Sequence, residues 1–276
     1  MVTELRPRGI GEILDAAVVL YRARFRRLVA VAAAVVVPVQ ALSAIVLLSA
    51  QPDRLSFGVT GSVTPQYDSS SVTTQLAAVI VVGLVTVLST AVITAVCTRI
   101  VADAYIGECS LARDSARAVR PRFFAVVGVS LVVLVSELVG LVLCFVGALY
   151  PLTVFAVAIP VLVLEGIGVW SATGRSVTLT KAHAVHVLGL VLTVQLLVAV
   201  VNTALVGGVS VLLRSGNGII AAVIGQSIAS TVAGVLTTPF AAAAIVVLYF
   251  DLRTRDEAFD VQLLMQRNDA RARIPA

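Results

Sequence analysis

Long apolar runs separated by short polar segments dominate the chain and predict membrane-spanning helices. Each span needs about 20 apolar residues, and the runs reach or exceed that length. The pattern predicts one all-α domain over residues 1–276, a polytopic transmembrane helical bundle of about six spans, at residues 28–49, 75–100, 123–147, 149–164, 185–213 and 218–250. Segment 51–74, rich in Ser, Thr, Gly and Pro, is predicted to be an extracellular loop.

Two of the runs are too long for one straight span. From Phe123 to Leu164 the chain is apolar apart from Glu137 and small polar residues. One helix of that length would measure about 63 Å, against a hydrocarbon core of about 30 Å. A tight turn near residues 147–151 therefore splits this run into a hairpin. The last run contains Pro239, and two interpretations stay open: one tilted, kinked helix, or a helix with a re-entrant first part.

Basic residues lie almost entirely on one side of the predicted bundle. All 20 Lys and Arg residues except Arg54 and Arg214 fall in the two terminal segments, in the second and fourth connections, or at the adjoining span ends. Because cytoplasmic segments carry an excess of Lys and Arg, we predict a multi-pass plasma-membrane protein with both termini in the cytoplasm. A cleaved signal peptide is the rival interpretation of the first run, but its basic and apolar regions are too long.

Three segments open alike and each precedes a span. They begin with Gly9-Ile10-Gly11-Glu12, Ile106-Gly107-Glu108 and Glu165-Gly166-Ile167-Gly168. In the first, apolar and charged residues fall on separate helical stripes, which is typical of a helix lying in the membrane interface. We predict such amphipathic helices at residues 9–27, 103–121, 166–183 and 251–267. The predicted repeat is an interfacial helix plus a two-span hairpin, used three times, and chance similarity of short matches is the alternative.

Several of the same residues resemble a known family. The segments that carry the resemblance are Leu5–Ala16, Glu165-Gly166, Leu248-Tyr249-Phe250-Asp251-Leu252-Arg253 and Phe259-Asp260. They resemble the bacterial (actinobacterial-type) glycerophosphodiester phosphodiesterase membrane-domain family, as a stand-alone member without the catalytic domain. The resemblance spans nearly the whole chain. It implies architecture rather than activity, because the stand-alone members have no defined function.

Composition and charge indicate a protein in contact with membrane lipid. Hydrophobic residues make up 59% of the chain and charged residues 13%, whereas soluble domains are about half apolar and a quarter charged. The net charge of +5 comes from residues beside apolar runs, where anionic headgroups attract each by about 1 kcal/mol. The predicted partners are anionic membrane lipids, with an unidentified protein as a further option, and no nucleic acid. The predicted lipid-binding residues are Arg22, Arg24, Arg26, Arg27, Arg117, Arg120 and Arg122.

No sequence pattern typical of catalysis, a cofactor or a metal centre is present, so we predict a non-enzymatic protein. His183 and His186 have a spacing that suits two imidazoles on one metal ion, but a third ligand close in sequence is missing. We interpret them as interfacial anchors. The three cysteines, Cys97, Cys109 and Cys144, are interpreted as reduced packing residues.

One carboxyl group, that of Glu137, lies inside a predicted span. An ionised group at the centre of the bilayer costs about 2.5–3.5 kcal/mol, so this one must be protonated, paired or in contact with water. Helical spacing predicts an intramembrane polar seam of Glu137, Gln195, Asn202 and Gln226. The seam either forms a transport site or supports helix packing through hydrogen bonds worth about 0.6 kcal/mol each. The packing interpretation is favoured.

The predicted function follows from these features. We expect an integral plasma-membrane protein without enzymatic activity that acts as a scaffold, an assembly factor or a lipid-associated regulator. The alternative is a small transporter or permease with a polar intramembrane site around Glu137.

Overall fold

The computed structural model describes residues 9–49, 69–106, 112–143, 145–213 and 219–257. Throughout these residues the chain is helical apart from short connections, which confirms the predicted all-α bundle. The helices are, in chain order, α1 (Ile10–Ala23), α2 (Phe25–Ser49), α3 (Ser69–Ile106), α4 (Ala112–Val119), α5 (Phe123–Leu143), α6 (Leu149–Val154), α7 (Ala158–Glu165), α8 (Val169–Lys181), α9 (Ala184–Leu213) and α10 (Ile219–Glu257). Short 3₁₀ turns at Arg120–Arg122 and Phe145–Ala148 flank α5.

Within the described ranges, five helical segments are long and apolar enough to cross a membrane. They are Phe25–Val46, Thr73–Ala104, Arg117–Leu143, Ala184–Leu212 and Ile224–Arg255. The predicted fourth span, 149–164, is instead a shorter apolar segment, Leu149–Glu165, that is broken between α6 and α7. The last predicted span lies in one continuous helix, Ile219–Glu257, with Pro239 inside it.

The broken segment runs the height of α5 and pairs with it as the predicted hairpin. Near the turn, a Cβ atom placed on Gly140 would lie 2.8 Å from the carbonyl oxygen of Gly147. At the other end, Arg122 Nη1 donates to the carbonyl oxygens of Leu162 at 3.3 Å and Val163 at 3.1 Å. The two helical arms of the hairpin, α5 and the broken segment, are therefore antiparallel along their whole length.

Two prolines explain why this segment is broken. Pro151 and Pro160 each lie in the first turn of their helix, α6 and α7, where a missing N–H group is tolerated. A continuous helix would place the Pro160 ring against the carbonyl of Ala156. The break frees the carbonyl oxygen of Val154, which accepts hydrogen bonds from the buried hydroxyls of Ser176 at 2.7 Å and Thr180 at 3.3 Å. Hydroxyls of α8 thus make the break compatible with an apolar surrounding.

The three predicted units recur as a short helix, a break and a long helix: α1 with α2, α4 with α5, and α8 with α9. Two of the short helices pack on the helix that precedes them in the chain, α4 on α3 and α8 on α7, whereas α1 packs on the last helix, α10. The helices α3, α7 and α10 contact one another at the centre. The sequence match pairs Gly9 with Gly166, whereas the structure pairs Gly9 with Gly168, because these two precede α1 and α8 in the same extended conformation.

The predicted interfacial segments differ from the observed helices at their boundaries. Segment 9–27 divides at Arg24, residues 103–106 continue α3, residues 166–168 form a turn before α8, and residues 251–257 continue α10. Residues 69–74 of the predicted loop begin α3, while 51–68 and 258–267 lie outside the described residues. The backbone N–H and C=O groups of a helix bond to each other whether the side chains are apolar or polar. A helix can therefore continue past the end of the apolar run from which it was predicted.

Part of the apolar side of α1 packs against protein. Ile13 and Ala17 are fully buried, and α1 packs on α10 with further contacts to α3 and α9. The Tyr21 hydroxyl donates to the carbonyl oxygen of Leu236 at 3.1 Å, about one helical turn before Pro239. Burial against a neighbouring helix lets this hydroxyl find a partner that lipid tails do not offer.

Candidate functional site

A cavity of about 310 Å³ lies between α3, α5, α9, α10 and the broken segment. Its polar lining comes from Thr90, Thr94, Ser130, Glu137 and Gln195. Glu137 is half-buried and lies in the second half of α5, towards the hairpin turn. The cavity therefore gathers a carboxyl, an amide and three hydroxyls inside the helical bundle.

The break between α6 and α7 forms part of the wall of this cavity through Phe155 and Ala156. Non-helical backbone at membrane depth occurs where it is buried in protein or lines a cavity. Here both conditions are met, because α8 covers one side of the break and the cavity lies at the other. Sequence analysis predicted a continuous fourth span and did not foresee this wall.

The predicted polar seam is reduced to two of its four members. Glu137 and Gln195 line the same cavity, whereas its lining includes neither Asn202 nor Gln226. Asn202 Nδ2 donates to the carbonyl oxygen of Val198 on its own helix at 3.0 Å, and Gln226 is exposed. Helical spacing identifies residues that share a stripe on one helix, but the rotation of neighbouring helices decides which stripes meet.

A second feature is an apolar groove of about 810 Å³ between α2, α3 and the start of α5. Its walls are formed by Ala30, Val31, Ala34, Val35, Val92, Val96, Val119, Phe123 and Phe124. Arg117 and Arg120, both exposed, complete the lining. Arg26 and Arg27 precede the first α2 residues of the wall by about one helical turn.

Arg122, also predicted to bind lipid, forms hydrogen bonds with the end of α7. Its guanidinium donates to the carbonyls of Leu162 and Val163, which are among the last carbonyls of α7. The Leu162 carbonyl also accepts the backbone N–H of Gly166 at 3.2 Å. Gly166, which follows α7, has φ +74° and packs directly against this guanidinium. Arg22 is exposed on α1, while Arg24 is partly buried at the break after it.

Sequence analysis missed a polar network that joins α7, α8 and α10. The Tyr249 hydroxyl donates to Glu165 Oε1 at 2.9 Å, and Arg253 Nη1 donates to the same hydroxyl at 3.2 Å. Arg175 Nε lies 3.5 Å from Glu165 Oε2. The signal was present in the sequence, because Glu165 and Tyr249 belong to the segments that carry the family resemblance.

Asp251 forms a neighbouring cluster at the same end of the bundle. Its carboxylate accepts a hydrogen bond from Arg255 Nε at 2.8 Å and lies 3.7 Å from His186 Nε2. In the part of the chain that the structure describes, no three His, Cys, Asp or Glu side chains are grouped to hold a metal ion. Cys97 is free and buried, and the other two cysteines lie outside the described residues.

Fold and composition together define a class, an all-α protein with helices that span a membrane. Comparison with protein-family models, curated proteins and solved structures found no match. The resemblance to glycerophosphodiester phosphodiesterase membrane domains therefore stays a prediction. Function has to be inferred from the cavity, the groove and the charges around them.

Proposed function

We propose that this protein is a non-enzymatic membrane protein that binds an anionic phospholipid and acts as a lipid-associated scaffold or regulator. The apolar groove of about 810 Å³ flanked by arginines carries the proposal. Its walls lie on helices that are long and apolar enough to span a membrane, so a lipid reaches them more readily than a soluble molecule does. The proposal places the headgroup at the arginines and an acyl chain along the walls.

Two energetic terms favour this occupant. An acyl chain in the groove packs against the α2 and α3 walls, and in a membrane such van der Waals packing takes the place of the hydrophobic effect. Each arginine near an anionic headgroup adds about 1 kcal/mol. Arg117 and Arg120 lie beside Phe123 and Phe124, and aromatic side chains are enriched at the boundary between acyl chains and headgroups.

The orientation belongs to the same proposal. The beginnings of α2, α5 and α9 and the ends of α3, α7 and α10 gather at one end of the bundle, linked by contacts such as Arg122 with Leu162 and Tyr249 with Glu165. We call this the basic end, because Arg26, Arg99 and Arg253 also belong to these helix ends. A basic end that faces the cytoplasm of the plasma membrane would meet its anionic leaflet.

A groove-filling substitution tests the lipid proposal. Ala34→Phe is expected to expel the bound chain, and Ala41→Phe, an exposed position on the same helix outside the groove lining, is the matched control. Phosphatidylglycerol retained by purified protein is measured by native mass spectrometry. Loss of retained lipid in Ala34→Phe but not in Ala41→Phe supports the proposal, and equal retention in both contradicts it.

Charge reversal gives an independent test of the headgroup site. Arg117→Glu with Arg120→Glu removes two attractions of about 1 kcal/mol each, so phosphatidylglycerol should bind about 30-fold more weakly. Binding of uncharged phosphatidylcholine should change far less. An equal change in affinity for both lipids would show that the arginines do not recognise the charge of the headgroup.

A second candidate function is a small transporter, which the cavity beside the broken helix favours. Transporter sites are commonly formed by discontinuous helices near the bilayer midplane, and carboxyl groups inside membranes often take part in proton relays. If Glu137 has that role, Glu137→Gln should reduce protein-dependent proton flux in proteoliposomes at least tenfold. Unchanged flux through a folded variant would reject transport at this site.

A further inference from the structure

We propose that the cavity around Glu137 binds a small organic cation, an amine or a quaternary ammonium, with Glu137 as its counter-ion. The proposal deepens the transporter candidate by naming its ligand class. The binding site itself does not depend on transport, so the two can fail separately.

Charge is the first argument for a cation. Of the described residues that line the cavity, only Glu137 carries a charge, and no Lys, Arg or His is among them. The structure records no hydrogen bond or ion pair for the Glu137 carboxyl within the described part of the chain. A carboxyl in an apolar region is unfavourable when ionised, and a bound cation would offset that penalty.

The lining selects the kind of cation. The hydroxyls of Thr90 and Ser130 are already bonded to backbone carbonyls of their own helices. The remaining lining oxygens, on Glu137, Gln195 and Thr94, are few, whereas a hard metal ion such as Ca²⁺ takes about six to eight. Much of the remaining wall is apolar, with Leu134, Phe155 and Ile159 among its residues. An organic cation suits this mixture, because its charged group pairs with one carboxylate while its carbon atoms contact apolar and aromatic side chains.

The size of the cavity agrees with such a ligand. Its volume of about 310 Å³ lies at the lower end of the range of about 300–1,000 Å³ for small-molecule sites. Sites of this kind combine apolar walls with a few polar groups that fix orientation. Phe155 belongs to the break between α6 and α7, so the interruption of the helix places an aromatic ring at the ligand.

Equilibrium binding of tetraethylammonium to the full chain in lipid nanodiscs tests the proposal, measured by isothermal titration calorimetry. Wild-type protein is expected to bind the probe, and Glu137→Gln should weaken binding at least tenfold while keeping the size of the side chain. Gln226→Leu, an exposed position outside the cavity lining, is the matched control and should bind as wild type does. No binding by wild type, or equal binding by Glu137→Gln, overturns the proposal.

A second variant keeps the test decisive if Glu137→Gln does not fold. Phe155→Ala removes the aromatic wall without changing any charge, and it should weaken tetraethylammonium binding several-fold. Unchanged binding by this variant would place the probe elsewhere. Binding that depends on Glu137 without proton flux in proteoliposomes would retain the cation site and reject the transporter.

Discussion

Replacing Gly140 with alanine is expected to destabilise the α5 hairpin by about 2–3 kcal/mol or more, the upper part of the range for overpacking. The new Cβ would lie 2.8 Å from the Gly147 carbonyl oxygen and 2.9 Å from the Ala148 Cα. These are backbone atoms, so no side-chain rotation relieves the overlap. Alanine is otherwise the better helix former by about 1 kcal/mol, so a loss of stability would identify the close backbone contact as its cause.

The measurement is thermal unfolding of purified protein in detergent, followed by the fluorescence of the single tryptophan. Gly83→Ala in α3 is the matched control, because a Cβ at that position meets no atom within 4 Å. It should be neutral or slightly stabilising. Gly147→Ala approaches the same contact from the other side and should resemble Gly140→Ala. Equal unfolding temperatures for Gly140→Ala and Gly83→Ala would contradict the hairpin contact.

Removing the Asp251 carboxylate should produce the other large loss of stability. The side chain is only 1% exposed and accepts the hydrogen bond from Arg255, whose side chain is 20% exposed. Breaking a buried ion pair costs about 3–5 kcal/mol, because the remaining charge loses its partner. Since water reaches part of Arg255, we expect Asp251→Ala to lose about 3 kcal/mol, at the lower end of that range.

Asp103→Ala is the comparison for Asp251→Ala. Asp103 pairs with Arg99 across one helical turn at 3.5 Å, and the Arg99 side chain is 42% exposed. The Asp103 side chain is 11% exposed, so this pair is only partly exposed, and fully exposed pairs contribute about 0–1 kcal/mol. The free energy of unfolding, measured with both variants in the same detergent, should separate them clearly. Similar losses for the two would mean that the Asp251 cluster contributes no more to stability than this more exposed ion pair.

The membrane helices were predictable because lipid permits few alternatives. Every backbone polar group in an apolar surrounding must be satisfied within a helix, so runs of apolar residues and span length identify the helices directly. The hairpin also followed from length alone, since α5 and the broken segment together exceed one bilayer. The break in the fourth span did not follow, because the freed Val154 carbonyl has to accept hydrogen bonds from Ser176 and Thr180, which lie on a different helix.

The sequence predicted the chemical type of each candidate site, but not which residues line it. Glu137 is conspicuous in the sequence because a charge inside an apolar run is costly. Gln195, which lines the same cavity, could not be separated from Asn202 and Gln226, since side-chain stripes carry no information about the rotation of neighbouring helices. The arginines of the basic end were equally visible, but their individual roles were not.

By itself, the sequence determined the class of protein, the approximate extent of its apolar helices and the presence of Glu137 among them. Only the tertiary structure decided that α1 packs on α10, that Arg122 closes the end of α7, and that Glu137 shares a cavity with Gln195. The physical reason is the range of the interactions. Hydrophobicity and helix periodicity act within one segment, whereas Arg122 and Val163, or Glu137 and Gln195, meet only after separate helices have packed.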